Sequence, residues 1–211
     1  MIKLLGKIPE KLAIACSGGP DSMAAASFFS NNGRRVELLY FNHGTVHGAE
    51  AEAFVADYAK KNNLNLTVGR ISREKEKQES PEEFWRNERY RFFEQWLNSN
   101  PEYKLVTCHH LDDSVETWVF TSMRGQSKTI PYSRGRIIRP FLLNRKEILV
   151  SWCDKKQVPY LIDPSNNDSK YTRNLIRNEL MPLVERINPG IYKVVRKKIL
   201  AGVCDENLAS E

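Results

Sequence analysis

The feature that most constrains the fold is the hexapeptide Ser-Gly-Gly-Pro-Asp-Ser at residues 17–22. It lies between an apolar run at residues 12–15 and a helix-like stretch at 23–29, which predicts a buried strand, a tight turn and a helix start. Glycines lack a Cβ, so they allow φ > 0 and a close approach of the backbone to an anion. Asp21 and Ser22 are expected at the helix N-cap, where free N–H groups also face a ligand. The hexapeptide indicates a phosphate-binding loop, although an ordinary Gly-Pro turn before a capped helix gives the same pattern.

Length and composition fit one sizeable α/β domain. The 211 residues are 41% hydrophobic and 27% charged, which provides enough apolar surface for a core in a soluble chain. No run approaches the roughly 20 apolar residues of a membrane span, and no apolar signal segment precedes the first strand. The cysteines are far apart in sequence, so neither a zinc site nor a disulfide framework is indicated. We therefore expect a cytoplasmic protein without a membrane partner and without a dedicated metal-ligand set.

Alternating apolar and helical patterns predict a parallel sheet. The strand-like runs are residues 12–15, 36–41, 64–68, 104–108 and 136–138. The helical patterns between and after them are residues 23–29, 49–62, 81–98, 111–123 and 144–157. Ser80 is expected as the N-cap of the third helix, with Pro81 at N1, and Asn144 is expected to start the fifth. This order predicts an α/β fold, doubly wound around a mainly parallel five-stranded sheet, with ligands at the C-terminal strand ends.

The pattern changes beyond residue 157. A turn-rich loop at 163–169 precedes helical patterns at 170–187 and 189–203. We divide the chain into a main domain, 1–157, and a small helical extension, 158–211, which could also pack back on the first domain. Residues 134–198 contain 15 Lys or Arg and 6 Asp or Glu, whereas the whole chain has a net charge of only +6. This asymmetry suggests a polyanion partner, or a basic face in contact with solvent.

A polar cluster follows the fourth predicted strand, with the sequence His-His-Leu-Asp-Asp-Ser-Val-Glu-Thr at residues 109–117. Counted as helix positions, His109, Asp113 and Glu116 are spaced i, i+4 and i+7 and share one face. Such a cluster could hold a magnesium ion, bind an ammonium group or accept a proton from an attacking amine. The structural alternative is a helix start with Asp112 as its cap.

Two pairs of arginines are candidates for anion binding. Arg86 and Arg89 share a face of the third predicted helix, and Arg173 and Arg177 lie one turn apart near the C-terminus. A pair of guanidinium groups can grip phosphate oxygens. For the first pair, ion pairing with Glu82, Glu83 and Glu88 of the same helix is the interpretation that the sequence alone favours.

In this order the motifs resemble tRNA(Ile)-lysidine synthetase, an ATP-pyrophosphatase family with an adenine-nucleotide α-hydrolase-like fold. Residues 17–22 match neither the Walker loop nor the dinucleotide-binding glycine pattern, whereas Ser-Gly-Gly-x-Asp-Ser is similar to the pyrophosphate-binding loop of this family. The other matching motifs are Asn-His-Gly (42–44), Glu-x-x-Arg-x-x-Arg-Tyr (83–90), His-His-x-Asp-Asp-x-x-Glu-Thr (109–117), Arg-Gly (124–125), Ile-Ile-Arg-Pro (137–140), Asp-x-Ser-Asn (163–166) and Arg-Asn-x-x-Arg (173–177).

The resemblance implies a ligase that uses ATP and Mg²⁺ on tRNA(Ile) with a CAU anticodon. ATP would adenylate C2 of the wobble cytidine, and the ε-amine of lysine would then displace AMP. It also implies a short form without the family's C-terminal domains, and it leaves open whether the chain forms a homo-oligomer.

The resemblance also assigns roles to residues. Asp113 and Glu116 would hold the lysine ammonium, and His109 would orient groups or carry protons. Arg89 and Arg173 would bind the phosphate of the adenylated base. The implied nucleotide contacts, with magnesium near the aspartate, are Ser17, Gly18, Gly19, Asp21, Ser22 and His43.

Two other functions stay open. A different tRNA-modifying ATP pyrophosphatase, such as a thiolase, would need paired cysteines, and Cys16 and Cys108 could meet at adjacent strand ends. A non-catalytic nucleotide- or RNA-binding relative would not need the acidic pair Asp113 and Glu116.

Overall fold

The computed structural model describes residues 1–163 and 172–208, and in these ranges six strands form one sheet in the order β3-β2-β1-β4-β6-β5. All neighbouring strands are parallel except β5 and β6. The strands are β1 (Lys11–Ala15), β2 (Arg35–Asn42), β3 (Asn65–Arg70), β4 (Lys104–Val106), β5 (Ser133–Arg134) and β6 (Ile137–Ile138). The doubly wound α/β class is therefore confirmed, and the five expected strands are present.

The sheet has six strands rather than five because a short hairpin extends one edge. Ser133 pairs with Ile138 and Arg134 with Ile137, and Gly135 makes the turn with φ of 59°. A polar strand of two residues has no apolar periodicity, so the sequence pattern did not predict it.

Eight α-helices are present in the described residues, and one π-helical turn, Ile176–Leu180, interrupts the C-terminal part. The helices are α1 (Pro20–Asn31), α2 (Val46–Lys61), α3 (Pro81–Ser99), α4 (Leu111–Ser122), α5 (Lys146–Lys156), α6 (Thr172–Leu175), α7 (Met181–Ile187) and α8 (Ile191–Leu208). None of them is long and apolar enough to cross a membrane.

Helix starts were predicted with mixed success. Ser80 caps α3 as expected, because its side chain accepts a hydrogen bond from Glu83 N. The expectation for Asn144 was wrong, since α5 begins only at Lys146. The Asn144 side chain instead binds the backbone of Lys3, through contacts of 2.8 and 2.7 Å.

The core lies on both faces of the sheet because side chains alternate along each strand. On β1, Leu12 and Ile14 pack with α1, α2 and α5, whereas Ala13 packs with the aromatic face of α3. This alternation fixes the register of the central strand, so the loops that follow the strands are held in place by a buried framework.

The C-terminal helices pack against α4. Their contact is apolar and includes Val115 and Val119 of α4 with Ile191, Val195 and Ile199 of α8. Most of the loop predicted at 163–169 lies outside the described residues. The single helix predicted at 170–187 is instead divided, within the described part, into α6, the π-helical turn and α7.

Candidate functional site

The direction in which the chain winds reverses beside β1. From β1 the chain proceeds to β2 and β3 on one side, and β4 and β6 lie on the other. In open parallel sheets ligands bind at such a point, outside the carboxyl ends of the strands. The loops after β1, β2, β4 and β6 all open on this edge, and they contain most of the residues selected from the sequence.

The loop after β1 is built around a pair of serines. Ser22 Oγ accepts a hydrogen bond from Ser17 N at 3.1 Å and donates one to the carbonyl of Gly19 at 3.0 Å. Gly18 has φ of 81°, a conformation that favours glycine, but Gly19 has an extended backbone with φ of −75°. Gly19 is also the N-cap of α1, so the N-cap expectation for Asp21 and Ser22 was wrong. Both lie in the first turn, still facing the positive end of the helix.

Asp21 has unused hydrogen-bonding capacity at this helix start. Its Oδ1 is buried and has no hydrogen-bond partner among the described residues, and its Oδ2 lies 3.8 Å from His110 Nε2. Burial raises the pKa of this carboxyl, although the nearby His110 acts in the other direction. A cation or a hydrogen-bond donor would fit the free oxygen.

His110, rather than Asp112, is the N-cap of α4. Its ring accepts a hydrogen bond from Asp113 N, and Asp113 Oδ2 accepts one from His110 N at 2.9 Å, which forms a reciprocal capping box. Burial opposes protonation of His110, but the carboxylates of Asp113, Asp112 and Asp21 outweigh it and raise its pKa. The predicted capping role of Asp112 is corrected accordingly.

Asp112 supports a different helix. Its Oδ2 accepts a hydrogen bond from Lys146 N at 2.7 Å, and its Oδ1 accepts one from Arg145 Nε at 2.8 Å. The carboxylate therefore binds the first turn of α5, which is a role that local sequence spacing could not predict because the partners are more than 30 residues away.

The acidic pair on α4 is neutralised by two arginines from the C-terminal segment. Arg173 donates to Asp113 Oδ1 at 2.8 Å and to Glu116 Oε2 at 3.3 Å. Arg177 donates to Glu116 at 2.6 and 3.0 Å and to Asp113 Oδ1 at 3.2 Å. Burial alone would raise the pKa of Asp113, but the positive charges of His110 and Arg173 hold it below its usual range. The two arginines do converge, as their spacing indicated, but their partners in this structure are the two carboxylates of α4 rather than a phosphate.

His109 does not share the helical face with this pair, because it precedes the N-cap and lies outside α4. Its Nδ1 lies 3.1 Å from Thr107 Oγ1. Burial lowers the pKa of His109 to about 4, although Asp113 opposes the shift. The ring is therefore neutral at pH 7 and can accept a hydrogen bond or a proton.

Arg89 lies in a positive environment. Burial lowers the pKa of its guanidinium, and the charges of Arg86 and Arg173 act in the same direction. The neighbouring acid Glu88 is turned away and pairs with Arg73 at 3.0 Å and Arg91 at 2.6 Å. For Arg89 the alternative of ion pairing with glutamates of the same helix is therefore wrong, since none of them pairs with it among the described residues, and the guanidinium is suited to an anion from outside.

Two further polar groups at this edge lack partners among the described residues. His43 Nδ1 is buried and unpaired. Burial is the main cause that lowers the pKa of this histidine to about 4, and the positive charge of Arg89 adds to it. Arg139, only 5% exposed, also has a buried unpaired Nε. Sequence reasoning selected His43 but gave Arg139 no role, although the Ile-Ile-Arg-Pro motif contains it.

The fold and this edge define a nucleotide-binding α/β protein whose phosphate loop follows the first strand. Residues 3–184 match the family model of the PP-loop domain, ATP_bind_3, and this match covers most of the chain. The chain belongs to the PP-loop domain family.

Several curated proteins are similar in sequence to the chain. The bifunctional protein TilS/HprT of Listeria innocua is 33% identical over 201 residues, which cover 87% of this chain and 31% of that protein. A tRNA(Ile)-lysidine synthase of Bacillus subtilis is 31% identical over 203 residues, covering 88% and 43%, respectively. A further tRNA(Ile)-lysidine synthase, from Francisella philomiragia, is 28% identical over 214 residues, which cover 97% of this chain and 53% of that protein. The chain therefore spans between about a third and a half of the length of these relatives.

Solved structures agree on the fold. The U34-tRNA thiolase NcsA from Methanococcus maripaludis, with its [4Fe-4S] cluster, superposes with a TM-score of 0.74 at 13% identity, covering 92% of this chain and 73% of that one. The NH3-dependent NAD synthetase of Campylobacter jejuni superposes with a TM-score of 0.51 at 10% identity, covering 94% and 87%. At such identities the likeness concerns the fold alone.

Proposed function

We propose that the chain is the catalytic part of a tRNA(Ile)-lysidine synthetase. The C2 carbonyl oxygen of the wobble cytidine attacks the α-phosphorus of ATP and releases pyrophosphate; the ε-amine of lysine then attacks C2, releases AMP and loses a proton. The observation that carries this proposal is the meeting of a phosphate loop, an acidic pair and unpaired basic groups at one sheet edge. The names of the sequence relatives support the same reaction.

The loop after β1 suits the phosphates of ATP. The loop lies at the carboxyl end of β1. Backbone N–H groups that could bind phosphate there come from Gly18, Gly19 and the first turn of α1. The unpaired Oδ1 of Asp21 suits Mg²⁺, which would neutralise phosphate charge during adenylation. Among the described residues no cluster of three or more acidic, histidine or cysteine side chains is arranged for a metal. The ion would thus be held by Asp21 together with the phosphates.

Asp113 and Glu116 suit the amine of the second substrate. Both are buried on α4 and are already paired with positively charged donors, namely two guanidinium groups. Since the pKa of Asp113 lies below its usual range, this residue holds a cation well but is a weak base. The neutral ring of His109 offers a second acceptor for a proton from the amine, although its pKa of about 4 makes it a weak base as well.

Arg89 and Arg173 suit the phosphate that remains on the adenylated base. Arg89 lacks a carboxylate within ion-pair distance in the described part of the chain, and it lies close enough to Arg173 for the two charges to repel each other. A phosphate between the guanidinium groups of Arg89 and Arg173 would be bound by charge-assisted hydrogen bonds and would relieve that repulsion.

The thiolase alternative is less well supported by the cysteines. Cys16 and Cys108 do follow neighbouring strands, β1 and β4. However, burial raises the pKa of both thiols, and the thiolate is the form that attacks or binds a metal. A lysine-dependent reaction therefore agrees better with this edge of the sheet.

The proposal is tested by incubating the purified chain with ATP, labelled lysine and an isoleucine tRNA that has a CAU anticodon. Lysine incorporation and AMP formation in equal amounts are the expected result. A parallel tRNA with a UAU anticodon is the matched control. ATP consumption with sulfur transfer but no lysine incorporation would support the thiolase, and ATP binding without turnover would support a binding module.

A further inference from the structure

The acidic pair that is proposed to hold the lysine ammonium is already fully neutralised in this structure. Two buried carboxylates, Asp113 and Glu116, meet two guanidinium groups, Arg173 and Arg177, through five hydrogen bonds of 2.6–3.3 Å. An added ammonium group would leave one positive charge in excess in a poorly solvated place. If both arginines were removed, the two buried negative charges would have no positive partner until the amine binds.

The two arginines are held unequally. The side chain of Arg173 is 53% exposed and makes two of the five contacts, whereas that of Arg177 is 30% exposed and makes three, including the shortest. Arg173 is therefore easier to release, because its guanidinium is already better hydrated, so its ion pairs are weaker, and because it loses fewer hydrogen bonds.

Arg173 also has an alternative partner site nearby. The charge of Arg173 acts on Arg89, whose guanidinium is buried without a carboxylate partner among the described residues. A phosphate that binds Arg89 would attract Arg173 away from the acidic pair, and this movement would transfer one positive charge from the carboxylates to the phosphate.

We propose that Arg173 is an exchangeable counter-ion that competes with lysine for Asp113 and Glu116 and is drawn away when a nucleotide phosphate binds beside Arg89. Arg177 stays on Glu116 and keeps the pair oriented. This inference rests on the proposed function and adds an order of binding to it. The amine site becomes free only after the phosphate has bound. Premature binding of lysine, or of another amine, is thereby weakened.

The test measures lysine binding by calorimetry in the presence and absence of AMP as the phosphate probe. In the wild-type chain AMP is expected to strengthen lysine binding by roughly tenfold, and lysine must strengthen AMP binding by the same factor because the coupling is reciprocal. Arg173→Ala is expected to bind lysine more tightly without AMP and to lose most of the AMP effect. Arg186→Ala, which removes an exposed arginine of α7, is the matched control and should behave like the wild type.

A second readout follows the guanidinium itself. The ¹⁵N–¹H signal of Arg173 Nε, assigned by its disappearance in Arg173→Lys, should shift on AMP addition while the signal of Arg177 changes little. Equal lysine affinity and an equal AMP effect in wild type and Arg173→Ala would overturn the inference, as would weaker lysine binding in the variant. ATP binding and lysine transfer, measured on the same samples, report on the proposed function separately.

Discussion

The imidazole of His110 connects the phosphate loop to the acidic helix, since its Nε2 lies 3.8 Å from Asp21 Oδ2 and 3.5 Å from Asp113 Oδ2. The ring is 2% exposed and also caps α4. A single buried titratable ring thus lies between two loops that follow neighbouring strands, and its protonation affects both.

His110 is expected to stabilise the fold more at low than at high pH. Its pKa in the folded chain lies above the ordinary value of 6.5, so the contribution is fully present below that value and is lost as pH rises through the folded pKa. His110→Asn keeps a good N-cap residue but removes the charge. In urea unfolding from about pH 6 to about pH 9, the difference in free energy of unfolding between wild type and variant should become smaller as pH rises. A difference that is constant or widens would contradict this assignment.

The sequence predicted the framework well because local patterns determine it. Apolar runs located the five parallel strands, and the order of strands and helices predicted a sheet wound on both faces. The two-residue strand β5 was not predicted, because its residues are polar and pair only through a hairpin.

The contacts within the site were less predictable, because their partners come from distant parts of the chain. Asp112 binds the start of α5, 34 residues later, and Asp113 binds Arg173, 60 residues later. Sequence spacing indicated which residues are unusual, but it could not show which charges neutralise each other. The same limit applies to Glu88, whose partners include Arg73 from the preceding loop.

Asp113→Asn is expected to abolish lysine transfer while leaving ATP binding largely intact. The substitution keeps the shape of the side chain but removes the charge that would hold the ammonium. Transfer should fall by at least about 100-fold, by analogy with other groups that act on a reacting proton or charge. Labelled-lysine incorporation and ATP calorimetry are the two measurements.

The matched control for this change is Asp112→Asn, which removes an adjacent carboxylate of the same helix. Because Asp112 binds the start of α5, its loss should cost about 0.5–2 kcal/mol of stability but retain most lysine transfer. If the Asp113 variant transfers lysine at a near-normal rate, the assigned role of the acidic pair is wrong.

Gly19→Val is expected to weaken ATP binding with little loss of stability. Gly19 has an ordinary backbone conformation, and an added Cβ would meet only Ser17 Oγ, at 3.4 Å. The branched side chain would, however, occupy the surface that phosphate must approach. Gly18→Ala is the contrasting variant, because its φ of 81° should cost about 1–2 kcal/mol of stability. Calorimetry that shows unchanged ATP affinity in Gly19→Val would mean that this loop has only a structural role.

Helix α8 has exposed basic residues around its apolar contact with α4. Ile191, Val195 and Ile199 are buried on one side of the helix. The exposed basic residues of the helix are Lys193, Arg196, Lys197 and Lys198. Such an arrangement suits a helix that packs on the domain and offers positive charge to a polyanion.

Replacing these four basic residues of α8 by glutamine is expected to flatten the salt dependence of tRNA binding. Each phosphate contact that is lost lowers the slope of log affinity against log salt by about one unit, so the full effect is a decrease of about three to four. Titrations at several salt concentrations measure the slopes. The control replaces four exposed lysines at the ends of α2 and α5, namely Lys60, Lys61, Lys155 and Lys156. Equal slopes in wild type and the α8 variant would show that tRNA, if bound, lies elsewhere on the chain.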